Sequence, residues 1–362
     1  MGWQNQNTSK RVFKFSRPLD QEDELMRSIP PDAIVTEFER NTKNVKVTYV
    51  IDNSISMKQI LEHNAENVKP LKLDRVPSDV KNKPRKPTKQ IKYLDDVSVV
   101  INIADFHLNR KVFGNAQYDL SYNLEDATNL WIALIDQCVM QLRSCPYHIE
   151  NIVLNTCGDF FNSDTINGTT SHGTIQTNDV SWKEVFTRAT ELMEYAIRTL
   201  SNIASVEYFY VRGNHDEQAG FYLTSWLDAR FRKIKNVKIH LSPKPRQVYE
   251  YGSNLLIFTH GESEGARTID LPFVEPNVRD NGKAYTNVEV ISGHLHSNTV
   301  KQERGVRLEV LNSACPIQSD WEYGKAFDTR FSEATIMFYN NKKRIQQNHI
   351  DTLDLLVNMK NT

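Results

Sequence analysis

Five short polar motifs stand at the ends of apolar, strand-like runs along the chain. Their side chains are carboxylates, an amide and imidazoles, and five of the ten histidines lie within them. Oxygen donors and neutral imidazole nitrogens of this kind suit Mn²⁺, Fe, Zn²⁺ or Ni²⁺, and the motifs contain no thiolate that would favour a structural zinc site. Together they predict a metal centre. The motifs are Asp105-Phe106-His107, Gly158-Asp159-Phe160-Phe161-Asn162, Gly213-Asn214-His215-Asp216, His260-Gly261 and Gly293-His294-Leu295-His296.

Alternating strands and helices are predicted to position the first three motifs. Two segments carry apolar residues at the i, i+3, i+4, i+7 spacing of an amphipathic helix, and Asn123 is a suitable N-cap for the first. This β-α-β-α-β alternation favours parallel strands, whose carboxyl ends form a shared edge where α/β proteins place their sites. The predicted strands are 97–104, 151–155 and 206–211, and the predicted helices are 124–142 and 181–203.

The chain changes character after about residue 234, where short apolar runs predict mostly strands. An α/β half followed by a β-rich half predicts two sheets packed face to face with helices outside. The fold class is therefore α/β, with a domain over 96–362. The later strands are predicted near 236–241, 246–251, 254–259, 287–292, 307–311 and 334–340.

Residues 1–95 differ in composition and are predicted to form an N-terminal appendage and a basic linker. A strand is predicted at 45–51. The segment 81–92 contains six basic residues, two prolines and no acid. Such a segment buries too little apolar surface to order itself, so a solvated linker is favoured over a nucleic-acid contact.

Composition narrows the class of protein. The 44 Lys and Arg residues against 45 Asp and Glu residues give a net charge of −1, which excludes a globally basic nucleic-acid coat. The four cysteines form no CxxC pair, as expected for reduced thiols in a cytoplasmic protein. No apolar stretch approaches the ~20 residues that cross a bilayer, and the N-terminus lacks a signal-peptide core, so we expect a soluble intracellular protein without a membrane partner.

The five motifs, in this order, resemble those of the calcineurin-like metallophosphoesterases. The resemblance implies a four-layer α/β/β/α sandwich with two divalent metal ions, of which manganese is the expected identity and iron, zinc or nickel are alternatives. It also implies a hydrolase in which a metal-bridging hydroxide attacks phosphorus. The implied ligands of one metal are Asp105, His107, Asp159 and His296, and those of the other are Asp159, Asn214, His260 and His294.

Further residues are assigned from the same motifs. His215 matches the family histidine that contacts phosphate or protonates the leaving oxygen, and we expect Asp216 to orient it. Other side chains flank the motifs or lie in the long polar loop at 162–178, and we expect them to be candidate substrate contacts. They are Arg110, Asn162, Arg212, Arg267 and His172.

The sequence predicts the type of reaction more specifically than it predicts the class of substrate. The motifs are similar to those of SbcD-type DNA repair exonucleases. Together with the flanking Arg and Lys residues, the basic segment 81–92 and the long polar loops, they favour a phosphodiester substrate, with DNA slightly preferred. The sequence also resembles phage-encoded phosphoesterases in its general texture. A phosphodiesterase or phosphatase acting on a cyclic nucleotide or another small nucleotide is the alternative. A non-catalytic scaffold of the same fold is a remote alternative, because every ligand position is filled.

Overall fold

The computed structural model describes two units of the chain, Met1–Pro77 and Ser78–Thr362. In the first unit, only three strands are described, and only as backbone. In the second, the described residues are 93–113, 120–319, 322 and 331–361. The basic segment 81–92 lies outside the described residues, so both its role and the predicted boundary at residue 95 stay predictions.

The first unit contains a three-stranded antiparallel sheet in the order β1-β3-β2. Its strands are β1 (Lys10–Pro18), β2 (Ile34–Arg40) and β3 (Asn44–Asp52). The strand predicted at 45–51 is confirmed as β3, whereas β1 and β2 were not predicted.

The second unit contains eleven further strands among its described residues, and they form two sheets. All nine strands predicted for this unit are present, β9 and β10 with the predicted ends and the others with shifted ends, and two polar strands, β11 and β14, were missed. The strands are β4 (Asp96–Asn102), β5 (His148–Asn155), β6 (Ser205–Phe209), β7 (Val237–His240), β8 (Gln247–Tyr251), β9 (Asn254–Thr259), β10 (Asn287–Ser292), β11 (Thr299–Glu303), β12 (Val306–Val310), β13 (Glu333–Tyr339) and β14 (Arg344–Asp351).

Helices connect and cover these strands. The first two helices begin at capping boxes, Asn123 with Asp126 and Ser181 with Glu184, which satisfy the free backbone N–H groups of the first turn. No described helix is long and apolar enough to cross a membrane. The helices are α1 (Leu124–Ser144), α2 (Trp182–Ser201), α3 (Glu217–Phe231), a 3₁₀ helix (Gly265–Asp270), α4 (Leu271–Val274), α5 (Pro276–Arg279) and α6 (Thr352–Lys360).

The two sheets pack face to face, as predicted. The six-stranded sheet has the order β14-β13-β4-β5-β6-β7, with β4 to β7 parallel, and the five-stranded sheet has the order β11-β12-β10-β9-β8. In β4, Val99 and Ile101 pack in the cluster that contains α1 and α2, while Val100 packs against Phe258 of the second sheet. Burial on both faces explains why this strand is almost continuously apolar.

Short helices cover the outer face of the five-stranded sheet, where Ile257 and Val290 pack against Ile269 and Leu271. The layers are therefore helices, sheet, sheet and helices, which confirms the predicted α/β/β/α architecture. The parallel strands β4, β5 and β6 of one sheet and β9 and β10 of the other end in the loops that carry the five motifs.

Candidate metal centre

The structure brings the seven predicted metal ligands together at the loops that follow these strands. Six of the seven, together with His215, fall into overlapping groups within each of which the donor atoms lie no more than 4.8 Å apart, and Asn214 contacts His260 of the third group. The groups are Asp105, His107 and His296; His107, Asp159 and His215; and Asp159, His260 and His294. Since His107 and Asp159 each belong to two groups, the ligand sites form one continuous cluster.

Backbone conformation at this cluster is unusual. Five of the predicted ligands have a left-handed φ, between 49° and 73°, which costs energy for a residue other than glycine. The surrounding hydrogen bonds maintain it: the His107 N–H donates to the Asp159 carbonyl at 3.0 Å, and the His294 N–H donates to the Asp105 carboxylate at 3.0 and 3.1 Å. Strain held in this way is typical of functional sites. The five are Asp105, His107, Asp159, His294 and His296.

In the first group, the imidazoles of His107 and His296 pack edge-on close to the Asp105 carboxylate. Their Nε2 atoms are 3.2 Å apart, and His296 Nε2 lies 3.5 Å from Asp105 Oδ1. His107 Nδ1 is buried and has no hydrogen-bond partner among the described residues.

The second group is arranged around His260. Its Nε2 atom lies 3.2 Å from Asp159 Oδ2, 3.0 Å from Asn214 Oδ1 and 3.2 Å from His294 Nδ1. The opposite ring atom, His260 Nδ1, donates to the Cys157 carbonyl at 2.9 Å, which leaves Nε2 as an acceptor in the neutral ring. Convergence of several acceptor atoms on one point fits a divalent cation, so the donor set agrees with the predicted metal centre.

Burial makes the charges in this cluster interact strongly. Burial alone would lower the pKa of His260, but the Asp159 carboxylate raises it to about 10. Burial would raise the pKa of Asp159, but the charges of His260 and His215 hold it well below its usual range. Burial and Arg110 lower the pKa of His107. The buried Asp159 carboxylate therefore favours positive charge at this position, which a divalent cation would supply.

His215 lies beside the ligands, and its ring packs edge-on against His107 at 4.7 Å between centroids. Its backbone N–H donates to Asp159 Oδ1 at 2.8 Å, and its Nδ1 lies 2.8 Å from the Asn162 carbonyl oxygen. A carbonyl oxygen only accepts, so Nδ1 carries the proton of this hydrogen bond.

The predicted role of Asp216 is wrong. Its carboxylate accepts hydrogen bonds from the backbone N–H groups of Asp159 at 3.1 Å, Phe160 at 2.7 Å and Gly213 at 3.2 Å, and it makes no described contact with the His215 ring. Asp216 therefore joins two motif loops, and the Asn162 carbonyl orients His215. Burial and the neighbouring Asp159 charge raise the pKa of Asp216 to about 7.

Some of the predicted substrate contacts line pockets next to the ligands, and others do not. A pocket of about 470 Å³ above the ligands is lined by His172 and Arg110, among others, and an adjoining pocket of about 220 Å³ is lined by Arg212. The Asn162 side chain is buried and donates to the Thr177 carbonyl, so it holds the 162–178 loop. Arg267 is exposed and lies outside the described lining of both pockets.

Two of the candidate cations are already paired. Arg110 is 3% exposed and forms an ion pair with Glu322 at 2.8 Å, while Arg212 pairs with Glu217 at 3.2 Å. The His172 imidazole at the rim lies 2.9 Å from Glu262. These pairings leave less positive charge for a substrate than the sequence implied.

Sequence reasoning missed Glu322. Its Oε1 lies 3.0 Å from His296 Nδ1, and its Oε2 accepts from Arg110 and from the Ser319 backbone N–H at 2.7 Å. A carboxylate on the far nitrogen of a ligating histidine fixes the ring and its tautomer. The one available signal was the Ser319-x-x-Glu322 spacing, which is typical of a capping box and not of ligand support.

Fold and site together define a metallophosphoesterase. The sequence model described as calcineurin-like phosphoesterase matches residues 99–307, more than half of the chain, and the chain belongs to this family. The superfamily predicted from the motifs is thereby confirmed, whereas the similarity to SbcD-type exonucleases stays a prediction. No curated protein matches the chain significantly.

Solved structures similar to the chain include a predicted phosphoesterase of Streptococcus pneumoniae, with 12% identity, coverage of 71% of this chain and 90% of that chain, and a TM-score of 0.31. An archaeal phosphodiesterase has 15% identity, coverage of 70% and 98%, and a TM-score of 0.33. Vacuolar Protein Sorting 29 from Cryptosporidium parvum has 13% identity, coverage of 70% and 98%, and a TM-score of 0.30. These similarities are too weak to indicate a substrate.

Proposed function

We propose that the protein hydrolyses phosphodiesters with the help of two divalent metal ions, manganese being the expected identity. The observation that carries the proposal is the convergence of the predicted ligands into overlapping groups, two of which share the buried Asp159. When bound there, divalent ions would lower the pKa of water and offset the negative charge of a phosphorus centre.

The chain's own residues have separate tasks in this proposal. One ion would be held by Asp105, His107 and His296, and the other by Asn214, His260 and His294. Both ions would be held by Asp159. His215 would bind the phosphate or protonate the leaving oxygen through its Nε2 atom. Its other ring nitrogen, Nδ1, is already engaged in the hydrogen bond to the Asn162 carbonyl.

Two classes of diester are candidates. The motif similarity and the basic segment 81–92 support DNA. The pairing of Arg110 and Arg212 supports a small nucleotide diester, because a polyanion would need unpaired cations along its path. We favour the small diester for this reason, with a nuclease as the second candidate.

An activity panel tests the proposal. Protein loaded with Mn²⁺ is offered bis-p-nitrophenyl phosphate, p-nitrophenyl phosphate, cyclic nucleotides, and single- and double-stranded DNA. We expect diester hydrolysis that Asp159→Asn abolishes and that Asp280→Asn, at an exposed ion pair with Arg279, leaves intact. Failure to hydrolyse any diester after metal loading would refute the proposal.

The panel also separates the two candidates. A nuclease should digest DNA, and its affinity for DNA should fall steeply with salt. The expected slope of log affinity against log salt is about −0.7 to −0.9 for each phosphate contacted. Rapid hydrolysis of small diesters without digestion of DNA would eliminate the nuclease.

A further inference from the structure

Two large apolar side chains are exposed inside the pocket above the metal ligands. Ile175 is 76% exposed and Leu295 is 51% exposed, and both line the 470 Å³ pocket. Leu295 stands between two predicted ligands, and Ile175 belongs to the 162–178 loop. Apolar surface of this kind next to a reaction centre is typical of a pocket that receives an uncharged part of a ligand.

The loop that carries Ile175 is a fixed wall because it is bonded on both sides. Before Ile175, the Ser171 backbone N–H and hydroxyl both donate to the Asn214 carbonyl at 2.9 Å. After it, the Thr177 carbonyl accepts from the Lys111 N–H at 3.1 Å and from the Asn162 amide at 3.1 Å. A wall tied in this way to two motif loops is preorganised for binding.

The same loop is anchored to helix α3. The Asp164 carboxylate accepts from the N–H groups of Gln218 and Ala219, both at 2.8 Å, in the first turn of that helix. Since α3 begins directly after Asp216, this contact also relates the loop to the metal ligands. The position of Ile175 is thus set by the architecture that sets the site.

Charge and polarity define what fits against this wall. Among the described residues that line the pocket, Arg110 carries the one guanidinium, and Glu322 neutralises it. The loop contributes uncharged donors and acceptors instead, from the hydroxyls of Thr174 and Thr177 and the amide of Gln176. The volume is within the ~300–1,000 Å³ of pockets that hold drug-sized molecules.

We propose that Ile175, Leu295 and the polar side chains of the 162–178 loop form a subsite for one uncharged, nucleoside-sized ester group of the substrate. This inference rests on the proposed phosphodiesterase function, in which the phosphate lies at the metal ligands. It makes the substrate a small diester with a single phosphate and an organic group that packs on Ile175 and Leu295.

Calorimetry on the full chain loaded with Mn²⁺ tests the subsite without depending on turnover. The two probes are thymidine 5′-monophosphate and methyl phosphate, which carry the same charged group and differ in the organic group. We expect the nucleotide to bind at least tenfold more tightly. Ile175→Ala and Leu295→Ala should each weaken nucleotide binding by roughly tenfold and leave methyl phosphate binding unchanged.

Ile166→Ala is the matched control, because Ile166 lies on the same loop, is 78% exposed and is outside the described pocket lining. It should bind both probes as the wild type does. Equal affinity of the wild type for the two probes, or equal losses for both probes in Ile175→Ala and Leu295→Ala, would overturn the subsite. A selective loss of nucleotide binding in a protein that hydrolyses no diester would refute the proposed function and leave the subsite standing.

Discussion

Replacement of Glu322 by Gln should weaken one metal site far more than the other. Glu322 is 4% exposed, and its carboxylate lies 3.0 Å from His296 Nδ1. Loss of such a support typically lowers metal affinity by roughly 10–100-fold, or about 1.4–2.8 kcal/mol. Because His296 lies with Asp105 and His107, the loss should fall on that group, while the His260 group keeps its affinity.

The same substitution should also destabilise the metal-free protein. Glu322 and Arg110 form a buried ion pair at 2.8 Å, and the removal of one partner leaves a buried charge without compensation. Such a loss costs about 3–5 kcal/mol of unfolding free energy. The double variant Arg110→Met with Glu322→Gln removes both charges and should recover part of that cost while the weakened metal site remains.

The assay is a calorimetric Mn²⁺ titration, together with urea unfolding of the metal-free protein. Glu250→Gln serves as control, because Glu250 forms an exposed ion pair with Lys283, whose contribution should not exceed about 1 kcal/mol. A Glu322→Gln protein that binds two Mn²⁺ ions with wild-type affinities would contradict the proposed support of His296, and a stability loss no larger than that of the control would contradict the role of the buried ion pair.

Three further predictions follow from the site. His215→Ala should lower turnover by roughly 10²–10⁴-fold with little change in metal content, and an alkyl ester should suffer more than a nitrophenyl ester if His215 protonates the leaving oxygen; equal losses would assign it to phosphate binding. Gly293→Ala should reduce metal content measured by elemental analysis, because a Cβ atom there would collide with the Asp105 carboxylate, and a normal content would show that the loop adapts. Removal of metal by a chelator should lower the midpoint of thermal unfolding by several degrees, since ions at 100 times their Kd stabilise by about 2.7 kcal/mol; an unchanged midpoint would contradict metal binding by the folded state.

The cluster of ligands was predictable because each motif follows a strand whose carboxyl-terminal residues are buried. Such strands read as short apolar runs, and β4 and β9 show this clearly. Parallel pairing then places their carboxyl ends at one edge. The positions of Asp105 and Asp159 therefore follow from local sequence and one topological rule, whereas that of His260 also depends on the packing of the two sheets.

Elements with weak periodicity were missed for physical reasons. In α3, Gly220 and Thr224 occupy the buried face, and Asp216 makes no side-chain cap because its carboxylate binds other loops. In β11, every residue is exposed, so no apolar alternation marks the strand. These elements are specified by tertiary contacts more than by their own residues.

The role of Glu322 could not be predicted because it depends on a contact across the fold. Nothing in the local pattern relates this residue to His296, and its spacing to Ser319 already has a local explanation in the capping box. The role assigned to Asp216 was wrong for the opposite reason: adjacency in sequence suggested a contact with His215, but the Asp216 carboxylate binds backbone N–H groups of Asp159 and Phe160, while the His215 ring bonds to the Asn162 carbonyl.

The two buried carboxylates of the centre each hold the neighbouring loop as well as the expected metal. Asp105 accepts from the His294 N–H, and Asp159 accepts from the His215 N–H. Each thus joins its own loop to one that carries another ligand. Asp216 adds a further connection between the loop of Asp159 and the loop of His215. Because these bonds join loops that carry different ligands, a carboxylate removed by mutation would loosen two loops together with the metal site.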